Sequence, residues 1–460
     1  MNSENEKSGM NRRNLIKNLG MGSAAVMAGD FSDAFAERSA AMSDLQRKAP
    51  KGLAPIKIKS VKAIGTRPAG ANLVVVKVET TEPGLYGIGC ATYTQRALPV
   101  VTAINEYLND FCVGRDADNI EDMWQACYVS SYWRNGPVLN NALSGLDQAL
   151  WDIKGKRANM PVYQLLGGKA RFAVPVYAHA GGRSIEQLVE NVQRYMSMGF
   201  KHVRIQVGGY GGLAERTPEF KAAGFGLERD SYMDEINYLL TVPKLFEAVR
   251  KACGEDIELL HDMHERNQPM DVIHMCKELE QYRPFFIEDP LSPENTHWWK
   301  QLRASTTVPF AQGELFNNVN EFVDPMVNHY FDFIRLHISQ IGGITPAMKV
   351  ARLGEWFNVR TAWHGPGDVS PVGHAANVHI DLAVWNFGIQ EGRASADYNF
   401  TETEKAVFPG APILKNGMFY VNEAPGLGVD IDEKEAAKYP INNRAGGWTV
   451  RKWDGTIIRP

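Results

Sequence analysis

The stretch 257-IELLHDMHERNQ-268 runs from apolar residues into four ionisable ones, Asp262, His264, Glu265 and Arg266. Two later stretches repeat its pattern: 284-PFFIEDP-290 ends its apolar run at Glu288, and 309-PFAQGE-314 ends at Glu314. Asp262, Glu288 and Glu314 are therefore spaced 26 and 26 residues apart. One strand-plus-helix unit of a (β/α)8 barrel takes roughly 25 to 35 residues, so equal spacing places three carboxylates at one height on three consecutive strands.

Working outward, eight short β-like runs follow Lys169: FAVPVYAHA, HVRIQV, IELLHDMH, PFFIEDP, PFAQGE, DFIRLHI, VRTAWHG and VWNFGIQE. Each is separated from the next by enough chain for a helix. Seven carry an ionisable group near their ends: His179, Asp262 with His264, Glu288, Glu314, His337, His364 and Glu391. HVRIQV carries Arg204 within the run. The C-terminal strand ends of such a barrel form its active face, so these groups are expected to converge on one pocket. Burying an unpaired charge costs several kcal/mol, which argues against seven accidental placements at the same end.

Before Lys169, IKIKSVKAIGTRP and NLVVVKVETTEPGLYGIGCA read as strands. They precede NALSGLDQALWDIKGKRANMPVYQLLGG, a helix closed by Gly167 and Gly168. The fold class expected is α/β, a modified (β/α)8 TIM barrel with an α+β capping domain. Residues 55–168 would form the cap, 169–410 the barrel, and 411–460 a segment completing the cap.

At the N-terminus, MNRRNLIKNLGMGSAAVMAGDFSDAFAE joins Arg12 and Arg13 to a Gly/Ala-rich stretch and an Ala34-Phe35-Ala36 cleavage pattern. Residues 1–36 read as a twin-arginine-type export signal and 37–54 as a linker, giving a periplasmic protein, or a cytoplasmic one where the signal does not act. The stretch is too short and too interrupted to stay in the membrane. A net charge of −4 without a basic stripe removes nucleic acid from the expected partners. The five cysteines are scattered and contain no C-x-x-C pair, so they read as small buried hydrophobes.

Three carboxylates at strand ends, without cysteine or obligatory histidine, form a hard oxygen site suited to one Mg2+ per subunit. Around this set the sequence resembles the enolase superfamily, and its D-mannonate dehydratase branch in particular. GRDADNIEDMW, YWRNGPV, ALWDIKGK, HGPGDVSPVGHAANVHIDLA, NFGIQE and PGLGVDIDEKEAAKYP carry the resemblance. It implies Asp262, Glu288 and Glu314 as metal ligands and His264 as the acid that protonates a departing hydroxyl. It also implies a base formed by a tyrosine with Arg204; Tyr210 is the candidate tyrosine. His364, Asp368 and Glu391 follow the family's pocket motif, Arg335 and His179 match substrate-contacting positions, and Thr94 lies on the cap loop that closes over the substrate. The reaction implied is dehydration of a small sugar acid, D-mannonate or a related aldonate, to a 2-keto-3-deoxy acid by a homo-oligomer.

The chain departs from the branch at several points. Thr94 stands where asparagine is common, Cys90 where an acid is common, Gly367 where the motif carries threonine, and IIRP where the chain commonly ends in an aromatic residue. Two alternatives stay open: an epimerase or racemase with His364 as base, and a non-catalytic sugar-acid binder. The absence of Lys-x-Lys at HVRIQV speaks against the usual racemase design.

Overall fold

In the computed structural model, the residues described are 53–208, 219–226, 230–393, 399–442 and 448–459. Strand β2 (Leu73–Thr80) has Leu73, Val74, Val75 and Val76 all buried. Such an apolar, valine-rich run fits the middle of a sheet covered on both sides. It pairs antiparallel with β1 (Ile58–Thr66) and β3 (Tyr86–Cys90). The helix Pro137–Ala158 lies against β3 so closely that a Cβ on Gly87 or Gly89 would sit 2.0 and 2.1 Å from the helix carbonyls of Ala149 and Gly145. Only glycine permits this approach.

The barrel strands are β4 (Val174–Ala180), β5 (His202–Ile205), β7 (Glu258–Asp262), β8 (Phe286–Glu288), β9 (Phe310–Gln312), β10 (Phe333–Ile334), β11 (Arg360–Thr361) and β12 (Gln390–Glu391); β6 is the short Ser231–Tyr232. Neighbours pair in parallel in that order. A Thr361–Phe387 bridge and the β12–β4 pairing close the ring. All eight runs marked in the sequence carry one of these strands. Tyr177, Leu260, Phe286, Ala311, Phe333, Ala362 and Ile389 point inward and form a separate apolar cluster that fills the ring. The larger core lies between the strands and the surrounding helices.

The segment 411–460 divides among three partners. The hairpin β13 (Ile413–Lys415) and β14 (Met418–Tyr420) pairs with β4 of the barrel. Glu433 bonds Lys62 and Lys77 of the cap, and Thr66 donates to the Ala436 carbonyl. Strands β15 (Val450–Arg451) and β16 (Ile457–Ile458) join β6, with Arg451 bonded to Asp230 at 2.7 Å. The expected boundary at 411 thus falls within a segment whose first strands extend the barrel sheet, because the backbone edge of β4 is free to pair there. Among the described residues, no helix is long and apolar enough to cross a membrane.

Candidate active site

Side chains alternate along a strand, so the next inward position lies two residues beyond the apolar layer. Those positions hold His179, Asp262, Glu288, Gly313, Arg335, His364 and Glu391. A polar ring therefore sits one step above the core, toward the C-terminal strand ends. Asp262 and Glu288 face each other in register across β7 and β8. Glu314 does not share their height: β9 ends at Gln312, Gly313 turns at φ 131°, and Glu314 follows one residue past the inward position. Equal spacing in sequence was offset by a short strand and a left-handed glycine.

Two guanidiniums bind the carboxylates. Arg204 reaches Asp262 at 3.0 Å and Glu288 at 2.9 Å. Arg335, fully buried, reaches Glu288 at 2.7 Å, Asp289 at 3.1 Å, Glu314 at 2.7 Å and Glu391 at 2.5 Å. Glu391 also meets His179 at 3.0 Å and accepts from the Gly365 amide. Burial pushes the Glu288 carboxyl well above its ordinary value and lifts Asp289 to about 7. For Glu391 burial acts the same way, but the charges of Arg335 and His364 outweigh it and hold the group well below the usual range. Burial and the nearby Arg204 lower His179 to about 4, so it is neutral.

His364 sits among three carboxylates. Its Nδ1 is 3.3 Å from both Glu314 and Glu391, and its Nε2 is 3.1 Å from Asp368. Burial opposes its charge, yet these neighbours hold it well above the ordinary histidine value. His337 stacks on the ring at 5.0 Å.

Asp262, Glu288 and Asp289 each bring one carboxylate oxygen within 4.8 Å of the others, and all three are buried. Glu314 connects to Glu288 and Asp289 through Arg335. Buried oxygens alone suit a hard cation such as Mg2+, and a positive charge among them would oppose the burial that raises Glu288 and Asp289. The residues fit such an ion. A second group, His337, His364 and Asp368, is also close enough, but a histidine held as a cation is no ligand.

Above the ring lies a cavity of about 590 Å³ lined by barrel, cap and tail. His264 enters it from an unexpected backbone. Strand β7 ends at Asp262, and His264 and Glu265 are left-handed at φ 51° and 61°. Strand alternation would place His264, two residues after Asp262, on the same face, but the strand has ended before it. The His264 amide instead donates to Asp262 at 2.7 Å, and its ring stacks on Trp448 at 5.4 Å and 9°. Thr94 and Gln95 of the cap face the cavity, as do Arg67, Asn72 and Asn442. Asn72 and Asn442 bond each other at 2.8 and 2.9 Å, tying cap to tail.

Of the residues expected from sequence, His179, Arg204, His264, Glu314, Arg335, His364, Asp368, Glu391 and Thr94 all line this cavity, and Asp262 and Glu288 lie beneath it. Arg335 is bound to four carboxylates as well as lining it. Tyr210 lies outside the described residues. Cys90 is buried away from the cavity, its sulfur 3.3 Å from the Ser339 hydroxyl, so its departure from the branch does not alter the lining. Asp289 and Trp448 were missed. The acidic pair in 288-ED-289 was a signal for the first; the second is brought in only by tertiary folding.

Residues 46–167 match the Mandelate racemase / muconate lactonizing enzyme, N-terminal domain family, and 187–435 match the Enolase C-terminal domain-like family. A D-galactonate dehydratase family member of Enterococcus gallinarum is 49% identical over 88% of this chain and 98% of its own. One from Pantoea ananatis is likewise 49% identical, over 88% and 99%. A crystal structure of an enolase from Pantoea ananatis, with bound D-gluconate and Mg, superposes with a TM-score of 0.83 at 47% identity, covering 88% of this chain and all of that one. A mandelate racemase/muconate lactonizing enzyme from a Jannaschia species gives 0.73 at 25% identity, covering 84% and 98%. The relatives carry the D-galactonate dehydratase name, whereas the motifs had pointed to the D-mannonate branch.

Proposed function

This chain belongs to the enolase superfamily, within the D-galactonate dehydratase family, and on that premise we propose that it is a Mg2+-dependent acid-sugar dehydratase acting on an aldonate. D-mannonate, D-gluconate and D-galactonate are the first substrates to test. The observation that supports this reading is that His264 lines a cavity with Glu314 and Glu391, directly above the buried carboxylate cluster.

The hard step is removal of a weakly acidic proton from the carbon beside a carboxylate. A divalent cation held by Asp262, Glu288 and Glu314, with Asp289 in reach, would supply the positive charge that makes this proton removable. Arg204 borders the cluster, where a guanidinium favours the phenolate of a tyrosine base; Tyr210 is proposed for that role. His264 donates a proton to the neighbouring hydroxyl as it leaves. Protonated His364 and the Glu391–Arg335 pair position the substrate's polar groups. The cap and Trp448 limit water access above them.

An epimerase would need His364 as a base, but three carboxylates around that ring favour its protonated form. Proton NMR in D2O with Mg2+ and each aldonate separates the readings. Loss of water with one deuterium gained at C3 of the 2-keto-3-deoxy product, the carbon that carried the departing hydroxyl, supports dehydration. Deuterium exchange in an undehydrated sugar acid supports epimerisation, and neither result supports binding alone.

A further inference from the structure

Cys112 and Cys127 take no part in lining the cavity just described, and their sulfurs are 3.6 Å apart. Cys112 ends the short helix Asn109–Cys112, and Cys127 sits in the helix Ile120–Ser130. The intervening turn is anchored at both ends: the Ile58 amide donates to the Arg115 carbonyl, and Asp118 pairs with Arg157 of the long cap helix. The two thiols are therefore held together by fixed elements. A disulfide needs about 2.0 Å between sulfurs, so the remaining approach is about 1.6 Å, shared between two side chains.

Cys127 also lines a cavity of about 520 Å³ within the cap, together with Tyr107, Phe111, Tyr128 and Leu139. This gives an oxidant a route to a pair that is otherwise buried. The expected export signal at 1–36 would carry the folded chain to a compartment where disulfides persist.

We infer that Cys112 and Cys127 form an oxidation site, which a disulfide oxidant, protein or small molecule, converts to a cystine crosslink within the cap. The step balances: the two thiols lose two protons and two electrons as the S–S bond forms, and the oxidant's own disulfide is reduced to two thiols. The bond would close a 16-residue loop and restrict the unfolded chain. The hydrogen bond between Cys127 and Cys112 and then burial push the Cys127 thiol upward, so the reaction is slow at neutral pH and faster as pH rises.

The test uses the full chain, treated with glutathione disulfide or with a strong reductant, then alkylated under denaturing conditions and digested with trypsin without reduction. Cleavage after Arg115 separates the two cysteines. Oxidation is expected to leave three of the five cysteines alkylatable and to link peptide 97–115 to peptide 116–134. The linked form should melt roughly 2–4 °C higher than the reduced form. Cys112→Ser and Cys127→Ser should each abolish the link; the peptide map of the unaltered chain decides the matter even where a variant does not fold. Five alkylatable thiols after oxidation, or a crosslink joining other cysteines, would overturn the inference.

Discussion

Asp262 and Glu288 stand in register on adjacent parallel strands, and the guanidinium of Arg204 is bonded to both. Removing either charge should remove metal affinity as well as activity. Asp262→Asn and Glu288→Gln are expected to lower activity by roughly two orders of magnitude or more. They should also abolish the rise in melting temperature that Mg2+ gives the unaltered protein. A variant that keeps the full Mg2+-dependent rise would remove its residue from the ligand set.

Arg335 is fully buried between Glu288, Asp289, Glu314 and Glu391. Arg335→Met leaves those carboxylates without their shared cation, and the loss of one partner from a buried ion network costs about 3–5 kcal/mol. Urea unfolding without metal is the measurement. A midpoint equal to that of the unaltered protein would show that another group carries the charge.

Trp448 stacks on His264 from the tail, while β15, two residues on, pairs with β6. Trp448→Leu keeps apolar contact but loses the flat face against which the imidazole is held. The turnover number is expected to fall by on the order of tenfold, with a smaller change in KM, since misplacing a catalytic group acts mainly on the chemical step. A change confined to KM would make Trp448 a substrate contact instead.

Asp147 on the long cap helix accepts from the amide and hydroxyl of Thr345, at the start of the barrel helix Ile344–Trp356. Burial raises its carboxyl from 3.8 to about 7, against the pull of those bonds. The folded protein therefore holds this proton over a range where the unfolded chain has lost it. Stability conferred here is complete below about pH 4 and lost as pH rises through about 7, a change of about 4 kcal/mol. Melting temperatures from pH 5 to 8 should fall more steeply in the unaltered protein than in Asp147→Asn. Parallel curves would contradict the shift.

The barrel was legible because each strand must be apolar where it meets the core and polar where it meets the pocket, and eight runs carried that gradient or its register. Asp262 and Glu288 were legible through their spacing, which misplaced Glu314 and did not mark Asp289. Local backbone was not: nothing in the residue types announced that His264 would adopt a left-handed conformation, or that Gly313 would set Glu314 off the height of Asp262. Contacts made by distant chain segments were equally hidden. Trp448 reaches His264, and Cys112 meets Cys127, only after the tail and cap have folded. The departures from the branch also separate only in three dimensions. Cys90 is sealed in the core, while Gly367 faces the cavity with open space where a side chain would stand.

The metal-dependent dehydration proposed above uses His264 as its acid. The most direct measurement is formation of 2-keto-3-deoxy product from a panel of aldonates by the Mg2+-loaded protein and by His264→Asn at equal concentration. Product is expected from at least one aldonate, abolished by chelation and lost in His264→Asn, whose melting temperature still rises with Mg2+. Product formed at an undiminished rate by His264→Asn, or none from any aldonate by the unaltered protein with metal bound, would contradict it.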